Sequence, residues 1–176
     1  MTDATMPTEI PSPSRVMLAS NADFAAQLDV LISKTTRCLR IFDFNAAGCG
    51  LNRPAREEQL AALLRGGRNG GAPGSPRLMI VVHDTRYLAR EAPRLQRLLG
   101  LFSHLMAIHE TNEEIRKVED CLIVGDDAHC IRRPHWERAH GFALFDDPVG
   151  TRDWLLRFSE VWEASHLGLS ATTLGL

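Results

Sequence analysis

Residues 77–84, RLMIVVHD, carry the strongest indication of the fold in this sequence. Their continuous apolar run is typical of a strand that other elements cover on both faces. The run therefore predicts a central strand of an α/β sheet. Its last two residues, His83 and Asp84, would lie at the carboxyl end of that strand, where open α/β sheets bind ligands.

Helix and strand patterns precede this run in alternation. Ser20 begins a capping-box pattern that opens a helix ending near Lys34. In residues 38–44 (CLRIFDF), successive side chains alternate between two sets, as on the two faces of a strand, and many are β-branched or aromatic. This pattern predicts a strand. A second helix is predicted over residues 54–66, because Pro54 suits the first turn and Gly66 ends the apolar periodicity.

Further elements follow the central run. They are an interrupted helix within 85–104, a strand at 105–109, a hairpin of 118–124 and 128–132, a strand at 141–145 and a closing amphipathic helix from Pro148. Early alternation of strand and helix indicates parallel pairing, and the hairpin adds an antiparallel portion. We therefore predict an α/β fold with a mixed, mainly parallel sheet and helices on both faces.

Length and composition suggest the organisation of the chain. A sequence of 176 residues with 44% hydrophobic content can build one domain with its own core. We assign a single α/β domain to residues 15–166, a disordered, proline-rich tail to residues 1–14, and a C-terminal tail to residues 167–176. The Gly-rich residues 66–76 predict a flexible surface insertion.

Composition also narrows the function classes. Twenty basic and 22 acidic residues give a net charge of −2, which argues against nucleic-acid binding over the whole surface. Any anion site must therefore be local. No apolar run approaches the roughly 20 residues of a membrane span, and no secretory segment is visible, so we expect a soluble, cytoplasmic protein. The four cysteines form no CxxC pair and are expected to be reduced; neither a metal site nor a cofactor is predicted.

The order of these elements resembles one half of a phospholipase D-like module over residues 19–165. The C-terminal part carries the resemblance best, where Phe145-Asp146-Asp147-Pro148 precedes a helix that contains Phe158 and Trp162. Such modules work in pairs, within one chain or between two, which implies a homodimer. The chain is also similar to uncharacterised bacterial domains that occur alone or appended to acetyltransferase domains, which implies an acetyltransferase as a possible partner.

The catalytic signature of that family, HxKxxxxD, is not intact here. With Asp126 in the aspartate position, Glu119 stands where the nucleophilic histidine belongs and Cys121 stands where the lysine belongs. Placing Asp127 in the aspartate position instead restores neither the histidine nor the lysine. A carboxylate would repel a phosphodiester, and without the lysine nothing nearby in sequence neutralises the developing charge. We therefore predict a degenerate half-module with no catalytic residue.

A basic segment follows the hairpin. It combines arginine, histidine and tryptophan within nine residues, at Arg132, Arg133, His135, Trp136, Arg138 and His140. Arginine forks bind phosphate bidentately and an exposed tryptophan can stack on a base, so the segment predicts an anion-binding site for a phosphate-bearing ligand or nucleic acid. The alternative is a solvated loop whose arginines pair with nearby carboxylates and whose tryptophan anchors it to the core.

Other groupings leave their alternatives open. His83 beside Asp84 suits acid–base chemistry, although Asp84 suits a helix cap at least as well. Cys121 and Cys130 could face each other across the hairpin, which would suit zinc only if two further ligands converged; a buried pair of small residues is favoured. The His and carboxylate residues between His109 and His129 match no EF-hand or HExxH pattern.

The leading hypothesis is a non-catalytic binding or interaction domain that contacts its partner through the basic segment. One alternative is a phosphodiesterase-like or other hydrolytic enzyme that uses His83, His135 or His140. Another is a regulatory partner of an acetyltransferase.

Overall fold

The computed structural model describes residues 12–66, 75–172 and 175. In chain order the elements are β1 (Ser14–Leu18), α1 (Asn21–Lys34), β2 (Leu39–Asp43), α2 (Pro54–Arg65), β3 (Leu78–Val82), α3 (Arg86–Glu91), α4 (Pro93–Leu101), β4 (Met106–Thr111), β5 (Cys121–Gly125), β6 (His129–Arg133), β7 (Gly141–Phe145), α5 (Pro148–Glu163) and β8 (Ser165–Leu169). Most of the predicted N-terminal tail and of the predicted insertion, residues 1–11 and 67–74, lies outside the described residues.

The strands form one mixed sheet in the order β1-β7-β6-β5-β2-β3-β4-β8. Parallel pairing is confined to β2 with β3 and β3 with β4, where helices supply the crossover connections. All other described neighbours pair antiparallel. The prediction of a mainly parallel sheet is therefore wrong, while the mixed α/β class is confirmed.

Both edge strands escaped prediction, and this explains part of the error. β1 and β8 bury only their last residues, Leu18 and Leu169, so neither shows the regular apolar alternation of a half-buried strand. Residues 167–169, assigned to the C-terminal tail, form the end of β8 and pair with β4. Edge strands gain their pairing from a neighbour that is remote in the chain, which a local pattern does not reveal.

Helices cover both faces of the sheet, as predicted. The first face packs against α1 to α4 and buries Ile41 and Ile80, whereas the second packs against α5 and buries Phe42 and Val81. Successive residues of β2 and β3 therefore enter different cores, as the period of two in a strand requires. None of the helices in the described part of the chain combines the length and apolar character that a bilayer crossing requires.

Local signals in the sequence placed the helices well. The Ser20 hydroxyl accepts the backbone N–H of Asp23 at 3.0 Å, and the Asp23 carboxylate accepts the backbone N–H of Ser20 at 2.9 Å. This reciprocal capping box begins α1 at the predicted position. Pro93 separates α3 from α4, since a proline inside a helix removes a hydrogen bond.

Asp126 joins the β5–β6 hairpin to the connection between α1 and β2. Its carboxylate accepts the backbone N–H groups of Thr36, Arg37 and Cys38 at 2.8, 2.7 and 2.9 Å, and the Thr36 hydroxyl at 2.9 Å. Burial raises the pKa of Asp126, but these hydrogen bonds outweigh burial, so the pKa lies below its ordinary value. Asp126 is therefore a structural anchor of the turn.

Asp126→Asn should lower the free energy of unfolding at pH 7 by about 2 kcal/mol, because the amide brings N–H donors toward backbone N–H groups. The pKa of Asp126 is lowered in the folded state, so its contribution is present above the unfolded pKa of about 4 and is lost as pH falls through the folded pKa. Urea unfolding should therefore show the difference between the variant and the wild type shrinking as pH falls below about 4. Asp127→Asn is the matched control, since that side chain is 48% exposed. A difference that stays constant with pH would contradict this role.

Gly141 begins β7 against the backbone of β6. A Cβ atom there would lie 2.2 Å from the carbonyl oxygen of Arg132. Gly141→Ala should therefore destabilise the protein by about 2 kcal/mol or more, since a backbone atom must shift. Thermal unfolding measures the effect against Gly48→Ala, where the nearest atom would be 3.7 Å away. Equal melting temperatures for the two variants would show that the strands do not approach so closely.

Candidate functional site

The carboxyl ends of β2, β3 and β4 lie at one edge of the sheet, since the three strands are parallel. β5 is antiparallel to β2, so its amino end lies at the same edge, as does the carboxyl end of β6. This carboxyl edge brings together side chains that are far apart in the sequence. They are Asp43, His83, Glu119, Cys121 and Arg133.

A buried ion pair occupies the centre of this edge. Arg133 and Asp43 are only 3% and 2% exposed, and Arg133 Nη2 lies 3.5 Å from Asp43 Oδ2. The guanidinium carbon also lies 3.8 Å from the centre of the Phe24 ring, a cation–π contact with α1. Arg133 Nε is buried and has no hydrogen-bond partner among the described residues.

Two thiols complete this cluster. Cys49, from the loop after β2, and Cys121, the first residue of β5, are fully buried. One donor atom from each, together with one carboxylate oxygen of Asp43, lie within 4.8 Å of one another. A hydrogen bond with Cys49, burial and the charge of Asp43 raise the pKa of the Cys121 thiol well above its ordinary value, and the charge of Arg133 opposes them. The Cys121 thiol is therefore neutral at physiological pH.

The three positions aligned with HxKxxxxD do not form one site. Glu119 is at the surface with 64% of its side chain exposed, and its carboxylate lies 3.6 Å from His135 Nε2. Cys121 is buried in the cluster with Cys49. Asp126 lies at the opposite end of the hairpin, where backbone N–H groups occupy its carboxylate. Their spacing in the sequence therefore does not indicate a shared site.

Arg132 and Arg133 point to opposite faces of the sheet. Arg132 pairs with Asp120 at 3.2 Å and lies over the Trp154 ring of α5 at 4.8 Å. Arg133 points toward Phe24 of α1 instead. Strand alternation separates the two, because β6 continues through Arg133. Arg132 and Arg133 therefore cannot bind the same anion.

The loop after β6 presents the remaining basic residues of the segment. Trp136 stacks on Phe44 with ring centres 4.4 Å apart. This contact anchors the loop, as expected for the alternative in which the tryptophan holds the loop to the core. His135 is half-buried beside Glu119. Arg138 and His140 are exposed, and no described carboxylate forms an ion pair with either. These two residues are the basic residues of the loop that remain available to a partner.

His83 is a satisfied core residue. It is 6% exposed, and its Nε2 lies 2.7 Å from the carbonyl oxygen of Val118, so Nε2 is assigned the proton and donates it. Its Nδ1 then accepts the Thr111 hydroxyl at 2.6 Å. Asp84 pairs with Arg86 and accepts its backbone N–H at the start of α3. His83 and Asp84 therefore do not act on each other as an acid–base pair.

A shallow cavity of about 360 Å³ lies beside these residues, between the ends of β3 and β4. Arg86 and Arg116 line it, but each already pairs with a carboxylate that lines the same cavity, Asp84 at 2.5 Å and Glu110 at 3.3 Å. The cavity thus carries balanced charge. It does not select an anion.

Cys121 and Cys130 do not face each other, so that hypothesis is wrong. Cys121 pairs with Arg133 across the hairpin and Cys130 pairs with Val124. The two thiols enter different cores, Cys121 on the face of α1 and Cys130 on the face of α5. Burial raises the pKa of Cys130 to about 12. Sequence reasoning missed Cys49 as the neighbour of Cys121, because a loop with no periodic pattern carries it.

Comparison with known proteins places this architecture. The model of a family described as a domain of unknown function (DUF7931) matches residues 20–170. No curated protein sequence matches significantly. Among solved structures, TrmBL2, an archaeal chromatin protein whose structure shows a novel mode of DNA binding, has a TM-score of 0.60 at 9% identity, covering 94% of this chain and 57% of that one.

Two further structures share the fold. Nuc from Salmonella typhimurium, a phospholipase D family member, has a TM-score of 0.56 at 13% identity, over 90% of this chain and 100% of Nuc. Phosphatidylserine synthase from Haemophilus influenzae has a TM-score of 0.53 at 14% identity, over 93% of this chain and 40% of the synthase. The chain thus spans a little over half of TrmBL2 and less than half of the synthase. The chain belongs to the DUF7931 family of domains of unknown function and has a phospholipase D-like fold.

Proposed function

We propose that this chain is a non-catalytic binding domain, a degenerate phospholipase D-like half that contacts a phosphate-bearing partner through the exposed loop after β6. One observation carries the proposal. Cys121, at the position of the motif lysine, is a neutral, fully buried thiol beside the Arg133–Asp43 ion pair. The carboxyl edge therefore lacks the cation that phosphodiester cleavage needs at this position.

The neighbouring groups do not supply a substitute. Arg133 is the nearest cation, but it is buried and Asp43 neutralises its charge. Glu119, at the position of the nucleophile, would repel a phosphodiester, and both nitrogens of His83 are occupied. Charge that develops on a phosphoryl group would therefore go unstabilised.

Binding does not need those groups. Arg138 and His140 are exposed, and the stack of Trp136 on Phe44 holds the loop in place. A fixed loop loses little conformational freedom when a ligand binds, which favours affinity. The DNA binding described for TrmBL2, which has this fold, supports nucleic acid as the class of partner.

A homodimer is part of this proposal, because phospholipase D-like halves work in pairs. Two chains that met at their carboxyl edges would bring two such loops together, and two weak sites bind one polyanion better than either alone. A regulatory role beside an acetyltransferase stays a prediction.

The binding test compares variants of exposed basic residues. Arg138→Ala combined with His140→Ala should weaken binding to a fluorescein-labelled single-stranded oligonucleotide about tenfold at low salt, measured by anisotropy. Each lost phosphate contact should also reduce the salt slope by about 0.7. Arg152→Ala is the matched control, since Arg152 is exposed on α5 and has no described ion pair. No salt-dependent binding, or equal loss in both variants, would refute the role of the loop.

The catalytic test looks for turnover. Purified protein should hydrolyse neither bis(p-nitrophenyl) phosphate nor DNA above the buffer rate, with or without Mg²⁺ or Mn²⁺. His83→Gln and Glu119→Gln are assayed in parallel, after circular dichroism shows that each is folded. Turnover that His83→Gln removes would instead establish the hydrolytic alternative.

A further inference from the structure

The loop after β2 turns back on itself and brings Cys49 close to Cys121. Asp43 Oδ1 accepts the backbone N–H of Ala46 at 2.9 Å and that of Asn45 at 3.3 Å, which folds the chain immediately after the strand. Ala46 then adopts a left-handed conformation with φ 61°. A non-glycine residue in this region carries strain, so the surrounding contacts determine the turn. Cys49 follows in a single 3₁₀ turn.

The result is a compact set of three donor atoms. The two thiols and one Asp43 carboxylate oxygen lie within 4.8 Å of one another, and each residue is at least 98% buried. Zinc–sulfur bonds of about 2.3 Å and zinc–oxygen bonds of about 2.1 Å place tetrahedral donors roughly 3.5–3.8 Å apart. Shifts of about 1 Å would bring the donors to those distances.

Arg133 gives a second, independent observation, because one of its buried donors lacks an acceptor. Only 3% of Arg133 is exposed, and its Nε has no hydrogen-bond partner among the described residues. Its Nη2 lies 3.5 Å from Asp43 Oδ2, at the long limit of a hydrogen bond. A buried donor without an acceptor destabilises a protein. A thiolate at Cys121 would supply an acceptor for this guanidinium.

We propose that Cys49, Cys121 and Asp43 bind a thiophilic divalent cation of the zinc class, with Arg133 donating to a ligand sulfur. Because its three ligands are at least 98% buried, the ion is structural and a phosphodiester does not reach it. Two thiolates and a carboxylate carry three negative charges, which one Zn²⁺ and the guanidinium balance. Each bound ion displaces two thiol protons to solvent. The sulfur ligands select zinc over magnesium or calcium.

The test uses the full chain, reduced and then freed of metal with a chelator. Titration with Co²⁺ should give one ion per chain, with sulfur-to-cobalt charge-transfer absorption that added Zn²⁺ abolishes. Cys49→Ser and Cys121→Ser should each remove about half of that absorption and weaken binding at least tenfold. Asp43→Asn should also weaken binding.

Cys130→Ser is the matched control, because Cys130 is equally buried but faces the other core. Its charge-transfer band should be unchanged. If Cys121→Ser fails to fold, Cys49→Ser in the loop decides the question. No charge-transfer band in the reduced wild type, a band of undiminished intensity in Cys49→Ser, or a band that Cys130→Ser removes would overturn the site.

Discussion

The buried ion pair between Arg133 and Asp43 is the constraint on which the carboxyl edge depends. It joins the end of β6 to the end of β2 across the intervening strand β5, and the guanidinium also packs on Phe24 of α1. Loss of either partner would leave an uncompensated charge in the interior, which is strongly destabilising. The other oxygen of Asp43 shapes the loop that carries Cys49. One carboxylate therefore organises both the strand ends and the buried thiols.

In this arrangement, the charged side chains that hold the fold together are not the ones that a ligand can reach. Arg133 is enclosed and Arg132 lies against Trp154 on the other face, so neither is free for a ligand. The loop that Trp136 anchors carries exposed basic residues near this edge, Arg138 and His140. The neutralisation of the buried cation by Asp43 supports the binding role proposed above over stabilisation of a transition state.

Much of the architecture could be predicted from local patterns. The capping box at Ser20, the break at Pro93 and the continuous run of β3 each depend on residues close in sequence, and all were confirmed. Strand direction was not predictable in the same way. The pairing of β4 with β8 joins residues about 60 positions apart, so it is decided by the closing of the whole sheet.

The sequence by itself determined the α/β class, the order of the central elements and the residue types at positions 119 and 121, a glutamate and a cysteine. Only the tertiary structure decided what those residues do. Asp43 and Arg133 are 90 positions apart, and no periodicity predicts that they meet. The sides taken by Arg132 and Arg133, the occupied nitrogens of His83 and the approach of Cys49 to Cys121 depend likewise on long-range packing. Local patterns predict which side chains are buried, whereas the partner of each buried polar group is determined by elements that are distant in the chain.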